Sequence, residues 1–532
     1  MEIHEQPTEQ WEPEKVIPAA LPQQNAVQPA GEANIPQHKS LSRRALFAGV
    51  LGVGAVASGV AFEQWTSHGG STYLGAPATT AKVGHLLRRA GFGAQKDELT
   101  AYAALGYEGA VDRLINYQQV ADDDAENRLK ALKLDLTRVP DQQRWWLLRM
   151  AWTQRPLLEK MTLFWHGVLT SSYRKTGGKE AILMNVQNEF LRNHAFDTYD
   201  NILLGITSDP AMLYYLDLTK STKKSPNENY AREMMELFTL GVGHYTQQDV
   251  YEAAAALTGW HVRGRAALNP VAAYNPRDHS GREITFLGQK GAFDYKDIVR
   301  ILANNPATPW FISRRLFTFF AYENPSNDDL KPLVDTYVKS NHNMGEVMKT
   351  LLLLPQFSSA KAYRGRVKSP SEFIAGAYRA LNITSDGKEL PGQAVVMGQT
   401  LLDPPNVAGW PGDKISALWI NSGTWMARLN YINLLLNGGR SGGSVYKPVD
   451  LQSMVNTNHI DTPEHFVDHF ASYLLDGNLE ADRKAQLVDY FKAQDSGPDK
   501  GKITLTNGQS YSLAKVRGTV YLMMASPEYQ LN

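Results

Sequence analysis

The chain has 532 residues, 43% hydrophobic and 10% aromatic, which is enough to bury a large core in one or two domains. Its 54 basic and 54 acidic residues balance, which argues against the basic surface typical of nucleic-acid binding. Because the chain has no cysteine, disulfides, thiolate metal sites and cysteine nucleophiles are excluded, and any metal would need His, carboxylate or amide ligands.

The N-terminal region is predicted to be a targeting signal rather than a folded domain. Residues 1–38 are rich in Pro, Gln, Glu and Ala and lack apolar periodicity, which predicts a disordered cytoplasmic extension. Arg43 and Arg44 then precede an uncharged apolar run ending at Phe62. This pattern is typical of a twin-arginine signal, predicted at 39–65, which places the protein in the periplasm or cell envelope. Inner-membrane anchoring through 45–62 is the alternative.

From about residue 80 the sequence is dominated by helical patterns. Apolar residues recur at three- and four-residue spacing in 141–169, 184–204 and 249–257. We therefore predict an all-α fold with at most a short hairpin, and 284–287 and 503–505 are the strand candidates. A main helical domain is expected at 80–436 and a C-terminal helical part at 450–532, joined by a glycine-rich linker at 437–444.

Several predicted helices have recognisable starts and ends. Ser225 and Ser369 are each followed by proline and, three residues on, by glutamate, which predicts two capping boxes. Thr246 with Asp249 is a weaker version of the same pattern. Gly241 is a natural end for the helix that Ser225 would begin.

The helix predicted after Ser225 carries the strongest candidate site. Asn229, Glu233 and Glu236 lie at spacings of four and three residues and share one face of a helix that is otherwise largely apolar, with Arg232 at the edge of that face. Two carboxylates directed into a cavity could act as acid and base or bind a hard cation. The alternative is a solvated face in which Arg232 pairs with Glu236.

Several motifs together resemble a bacterial family known as domain of unknown function 1800, over residues 82–530. They are HLLRRAGFG (85–93), FWH (164–166), SDPAML (208–213) with Asp217, NENYAREMMELFTLGVGHYT (227–246), LTGW (257–260), RVKSP (366–370), PPNVAGWP (404–411) and WIN (419–421) with Arg428. The resemblance implies a mostly helical, exported protein. It also implies a partner from a second exported, sulfatase-like family, but it implies no reaction.

Two histidines are candidate metal ligands beside Glu233 and Glu236. His166 follows two aromatic residues on a predicted helix, where a core histidine with one hydrogen bond is the alternative. His279 stands at a departure from the family pattern, which has His-Asp where this chain reads Asp278-His279, so a site built on His279 is in doubt.

Substrate-binding candidates lie outside the acidic helix as well as on it. Arg88 could bind an anionic group, with Arg89, Arg366 and Lys368 near it, but these side chains could equally pair with core carboxylates or helix ends. Trp410 and Trp419 could stack on sugar rings, or Trp410 could fill the core. Asn229, on the acidic helix, is the fourth substrate-binding candidate, beside Arg88, Trp410 and Trp419.

Two functions remain open from the sequence. The first is a hydrolase of an envelope polymer, either metal-dependent or acid–base, with Glu233, Glu236 and Arg232 as catalytic residues. Its divalent metal would be held by His166, His279, Glu233 and Glu236. The second is a non-catalytic envelope assembly or carbohydrate-binding protein.

Overall fold

The structure is a computed structural model that describes residues 78–176, 182–264, 269–441, 444–494 and 501–532. The predicted disordered segment 1–38 and the predicted signal or anchor at 39–65 lie outside these residues. In the described part of the chain, no helix combines the length and the apolar character that crossing a membrane requires.

Helices dominate the described residues, as the sequence predicted. In the first half they are α1 (Ala78–Arg89), α2 (Lys96–Ala104), α3 (Gly106–Ile115), α4 (Asp123–Ala131), α5 (Val139–Trp152), α6 (Pro156–Val168), α7 (Ile182–Asn193), α8 (Tyr199–Thr207), α9 (Pro210–Tyr215), α10 (Asn229–Glu233) and α11 (Gln247–Ala256). A π-helix (Met234–Thr239) continues α10, and short 3-10 helices lie at Tyr117–Gln119 and Leu218–Lys220. The predicted run 141–169 is two helices, broken between Trp152 and Pro156.

The second half continues the helical pattern. Its helices are α12 (Tyr295–Ala303), α13 (Ala307–Phe320), α14 (Asn327–Lys339), α15 (Met344–Leu353), α16 (Pro370–Ala380), α17 (Leu390–Val396), α18 (Pro411–Lys414), α19 (Ser422–Asn437), α20 (Leu451–Thr457), α21 (Pro463–Leu474), α22 (Ala481–Lys492), α23 (Leu513–Met524) and α24 (Pro527–Gln530), with a 3-10 helix at Ser416–Trp419. Buried side chains from both predicted parts, 80–436 and 450–532, belong to one continuous hydrophobic core.

Strands in the described residues occur as two-stranded antiparallel hairpins. These pair β1 (Trp260–Arg263) with β2 (Val271–Tyr274), β3 (Ile284–Phe286) with β4 (Gln289–Gly291), β5 (Gly439–Ser441) with β6 (Ser444–Tyr446), and β7 (Lys502–Thr504) with β8 (Ser510–Ser512). The strand predictions at 284–287 and 503–505 are confirmed. Within the segment predicted as a linker at 437–444, Asn437 ends α19, Gly438 follows at φ +69°, Gly439–Ser441 forms β5 and Ser444 begins β6.

The predicted helix starts have mixed outcomes. The Ser369 and Thr246 side chains each accept a hydrogen bond from the backbone N–H three residues on. The backbone N–H of each cap residue in turn donates to the side chain at that position, so both capping boxes are confirmed. The Ser225 prediction is wrong, because Ser225 forms an isolated β-bridge with Thr222 and the helix begins only at Asn229. There the Asn227 side chain accepts a hydrogen bond from the Asn229 N–H at 3.0 Å.

Two buried arginines cap the C-terminal end of α13. Arg89 donates to the carbonyls of Phe319, Phe320 and Ala321, and Arg366 donates to the carbonyl of Thr318 at 2.7 Å. The last carbonyls of a helix have no partner within it, so two guanidinium groups satisfy them here. For these two arginines the structural alternative to anion binding is confirmed.

Arg88 has the other structural role considered for it. It is 5% exposed and donates to the buried Asp476, which also accepts from Arg364 at 3.0 Å and from the Tyr363 hydroxyl at 2.8 Å. The side chain of Arg88, which the sequence predicted to bind substrate, is enclosed in a core ion pair in the structure.

Candidate functional site

The acidic helix differs from the regular α-helix that its spacing predicted. After Glu233 the chain widens into the π-helix, where the Thr239 hydroxyl donates to the carbonyl of Met234 at 2.7 Å and the Leu240 N–H to that of Met235 at 2.7 Å. The segment ends at Gly241, at φ +79°, as predicted. π-helical turns are rare and are often found at functional sites.

The packing of this segment leaves its acidic side partly open. Tyr230, Met234 and Phe238 on the opposite side are fully buried in the core. Glu233 and Glu236 are half-buried, whereas Asn229 is exposed. The two carboxylates therefore lie at the boundary between core and solvent, where a ligand could reach them.

The two carboxylates have different environments. Burial and the neighbouring charge of Glu236 raise the pKa of Glu233, and Arg232 and Lys175 only partly oppose this. Glu233 has no hydrogen-bond or ion-pair partner among the described residues. Glu236, in contrast, accepts a hydrogen bond from the Tyr245 hydroxyl at 2.7 Å. Glu233 thus combines a raised pKa with the absence of a partner, and Glu236 is held as a hydrogen-bond acceptor.

The neighbouring polar residues form their own contacts. Arg232 donates to Glu228 at 3.3 Å and to the Gln247 side chain at 3.0 Å, so the predicted alternative of an Arg232–Glu236 pair is wrong. The Asn229 amide donates to Asp217 at 3.2 Å. These contacts fix the outer end of the segment while leaving Glu233 unengaged.

The site also includes residues that are distant in the sequence and that no local sequence pattern predicted. Burial and then the negative charges of Asp403 and Glu233 raise the pKa of Tyr215 to about 12, so its hydroxyl lies within the field of both carboxylates. The Lys175 ammonium lies 5.1 Å from the centre of the Tyr215 ring and 3.9 Å from Asp217. We call Lys175, Tyr215, Glu233, Glu236 and Asp403 the acidic cluster.

Asp403 also connects this cluster to a cleft. It accepts hydrogen bonds from the Ser172 hydroxyl and from Arg174, which hold its carboxylate in place. It lines a cleft of about 410 Å³ together with Trp410, Trp419 and others. Asp403 immediately precedes the family motif at 404–411, and this position was the only sequence signal for it.

The cleft does not present its tryptophans as open stacking surfaces. Trp410 is 2% exposed and Trp419 is 5% exposed, so neither of these rings, which the sequence predicted to stack on sugars, has an open face. The Trp410 ring packs edge-on against His166 at 5.3 Å, and the Trp419 ring packs so closely on Gly412 that a Cβ there would lie 2.3 Å from it. The alternative, that Trp410 fills the core, is confirmed.

A glycine explains how this loop reaches the core. Gly409 has φ +84°, and a Cβ at this position would lie 2.2 Å from the carbonyl oxygen of Gly167 at the end of α6. No other residue type fits such a close backbone approach in this conformation. The loop is therefore fixed against α6, and Trp410 follows directly into the core.

A family model described as "Protein of unknown function (DUF1800)" matches residues 85–531. The chain belongs to the DUF1800 family. The acidic cluster and the cleft lie entirely within the matched residues. No curated protein and no solved structure matches the chain.

The predicted metal ligands of this DUF1800 chain are not assembled into one site. His166 is 1% exposed between Trp146 and Trp410, and burial lowers its pKa to about 3, as for a neutral core histidine. His279 packs beside Tyr274, with its Nδ1 3.5 Å from the Thr258 hydroxyl. In the described ranges, no three His, Asp or Glu side chains are grouped so that they could hold a metal ion.

The departure from the family pattern has a local structural account. Asp278 accepts a hydrogen bond from the Asn275 amide at 2.6 Å and lies 2.8 Å from His261 Nε2. It therefore fixes the β2 end of the first hairpin against β1. The structure engages Asp278 with His261 rather than directing it toward the acidic cluster.

Proposed function

We propose that this DUF1800 protein is an acid–base hydrolase of an envelope polymer and that Glu233 and Glu236 are its catalytic pair. The observation that carries the proposal is the difference between their environments. Glu233 is unengaged and its pKa is raised, whereas Glu236 is hydrogen-bonded to Tyr245. Two neighbouring carboxyl groups in different environments are the usual arrangement for an acid and a base acting together.

In this proposal Glu233 is the general acid that protonates the leaving oxygen. Glu236 is the ionised partner that activates water or stabilises positive charge, the division of work found in glycoside hydrolysis. Arg232 opposes the rise in the Glu233 pKa and is held by Glu228 and Gln247, so its role is to position and tune rather than to contact the reacting atoms. The cleft beside Asp403 provides space for the polymer.

The assignment of acid and base can be tested without a substrate. In protein labelled with ¹³C at glutamate carboxyls, NMR titration should give Glu233 a pKa above its ordinary value of 4.5. Glu236→Gln should lower that pKa because it removes the like charge. Glu228→Gln is the matched control on the adjoining turn and should change it little. A Glu233 pKa at or below 4.5, or one unaffected by Glu236→Gln, would contradict the proposal.

The reaction itself is tested on purified peptidoglycan sacculi and on isolated envelope polysaccharide. Wild-type protein should release reducing ends, and Glu233→Gln and Glu236→Gln should each reduce the rate by about 10²-fold or more, with Glu228→Gln near wild type. Since Glu233 must be protonated, the rate should fall as the pH rises through its pKa. Full activity in Glu233→Gln, or no product with wild type on either polymer, would refute the acid–base hydrolase.

We also propose export through the twin-arginine route, on the basis of Arg43 and Arg44 before an apolar run. Changing both arginines to lysine in the full chain should leave the protein in the cytoplasm after cell fractionation. A variant with Lys39→Gln, which keeps the pair, should still be exported. Periplasmic recovery of the double variant would contradict this route.

A further inference from the structure

A second cavity lies beside the segment that follows Trp410. It has a volume of about 280 Å³ and is lined by side chains from α6 and α13 and by the 413–415 segment. Its polar lining includes Arg315, Asp413 and Lys414, and Phe164 and Phe319 supply apolar walls. Since a water molecule takes about 30 Å³ in the liquid, the space suits a small ligand no larger than a monosaccharide.

The Arg315 guanidinium lines this cavity without an anionic partner. Among the described residues it makes one long hydrogen bond, 3.4 Å to the carbonyl of Gly167, and no carboxylate lies within 4 Å. Burial lowers its pKa, which means that its charge has lost solvent without gaining an ion pair. A partly buried guanidinium that faces a cavity and has no counter-charge can bind an oxyanion.

Asp413 is the second unsatisfied group in this cavity. Its Oδ2 is buried without a hydrogen-bond partner, and it lies so close to Gly167 that a Cβ there would be 2.7 Å away. Arg366 fixes the backbone here by donating to the carbonyls of Gly412 and Asp413 at 3.3 and 3.0 Å. A buried polar atom without a partner costs free energy unless a ligand or water satisfies it.

The protonation of Asp413 depends on groups from several elements. Burial raises its pKa to about 7, and the charge of Glu372 on α16 adds to this. Arg366, Arg315 on α13 and Lys160 on α6 oppose the rise. Asp413 therefore carries a proton below neutral pH and can then donate a hydrogen bond to an oxygen.

We propose that this cavity binds a small oxyanion, held by the guanidinium of Arg315 and the ammonium of Lys414, with the Asp413 carboxyl donating a hydrogen bond. The ligand is a phosphate, a sulfate or the carboxylate of a sugar acid, which share this chemistry. Binding takes up a proton at Asp413 and weakens as the pH rises above about 7. The site is separate from the acidic cluster and does not depend on the hydrolase proposal.

Isothermal titration calorimetry on the full chain tests the site with three probes: inorganic phosphate, inorganic sulfate and glucuronate. At pH 6 at least one should bind with millimolar or tighter affinity, and the tightest identifies the source as a free anion or a sugar acid. Arg315→Gln should weaken that binding at least tenfold, since bonds to charged groups are the stronger ones. Asp413→Asn should still bind the probe, but its affinity should no longer fall between pH 6 and 8.

Arg300→Gln on α12 is the control for loss of an arginine outside the cavity. Arg300 is exposed and donates to Asp297 at 3.1 Å, so its guanidinium is already engaged. Binding within threefold of wild type in this variant supports the assignment to Arg315. No binding of any probe at concentrations up to about 20 mM, or equal losses in Arg300→Gln and Arg315→Gln, would overturn the proposal, and unchanged thermal unfolding would show that the variants are folded.

Discussion

Replacing Asp476 by asparagine should destabilise the protein strongly, because Asp476 is the shared counter-charge of two buried arginines. Burial by itself would raise its pKa, but the charges of Arg88 and Arg364 and a hydrogen bond from Tyr363 outweigh burial and hold it at about 2, against an ordinary 3.8. At 1.36 kcal/mol per pKa unit this difference corresponds to about 2 kcal/mol of stability. Asp476→Asn also leaves both guanidinium groups unpaired, so we expect a loss of about 3–5 kcal/mol at pH 7.

Urea unfolding followed by tryptophan fluorescence measures this loss. Asp335→Asn on α14 is the control, because its pair with Lys331 is exposed and should contribute little to stability. The folded pKa of Asp476 is lowered, so its contribution is complete above pH 3.8 and is lost as the pH falls toward 2. The gap between wild type and Asp476→Asn should therefore narrow over that range. An Asp476→Asn cost no larger than that of Asp335→Asn would refute the reasoning and restore Arg88 as a candidate ligand-binding residue.

Two further predictions concern backbone geometry. Gly409→Ala should cost about 2 kcal/mol or more, because a Cβ would meet the carbonyl of Gly167 and the residue has a left-handed conformation; Gly392→Ala on α17, where a Cβ meets nothing within 4 Å, should instead stabilise by about 0.5–1 kcal/mol. Thermal unfolding compares the two, and equal shifts would contradict the account of the loop. Ser369→Ala should cost about 1 kcal/mol through loss of the α16 cap, and a cost near zero in urea unfolding would mean that Glu372 and the proline satisfy this helix start without it.

The fold was largely accessible from local pattern. Three- and four-residue apolar spacing identified the helical class, and the side chains of Ser369 and Thr246 identified two helix starts because a cap depends on residues only three apart. Ser225 begins the same capping-box sequence pattern but does not begin a helix. Its backbone forms a bridge with Thr222, and a short turn around Asn227 takes over the start of α10. A capping motif therefore predicts a helix start only where the neighbouring chain leaves it free.

The candidate site was accessible only in part. The spacing placed Glu233 and Glu236 on one side of a helix, and that side is half-buried. The π-helical turn could not be predicted from the sequence, because it depends on hydrogen bonds such as that from the Thr239 hydroxyl to the Met234 carbonyl and not on the spacing of apolar residues. Asp403 could not be assigned to the cluster, because it lies far from Glu233 in the chain and only tertiary packing brings its charge to Tyr215.

Burial alone does not separate structural from functional charges in this molecule, but the partners of each charge do. Arg89 is fully buried and donates to the carbonyls that end α13, and Arg379 donates to those of Ala151 and Thr153 at the end of α5. Each replaces water with protein acceptors, so neither has capacity left for a ligand. Arg315 and Glu233 are the opposite case, because each is partly buried and lacks a charged partner among the described residues, and Arg315 also lines a cavity. Since an unpaired, desolvated charge costs free energy in the absence of a ligand, these two positions are where binding or chemistry would recover it.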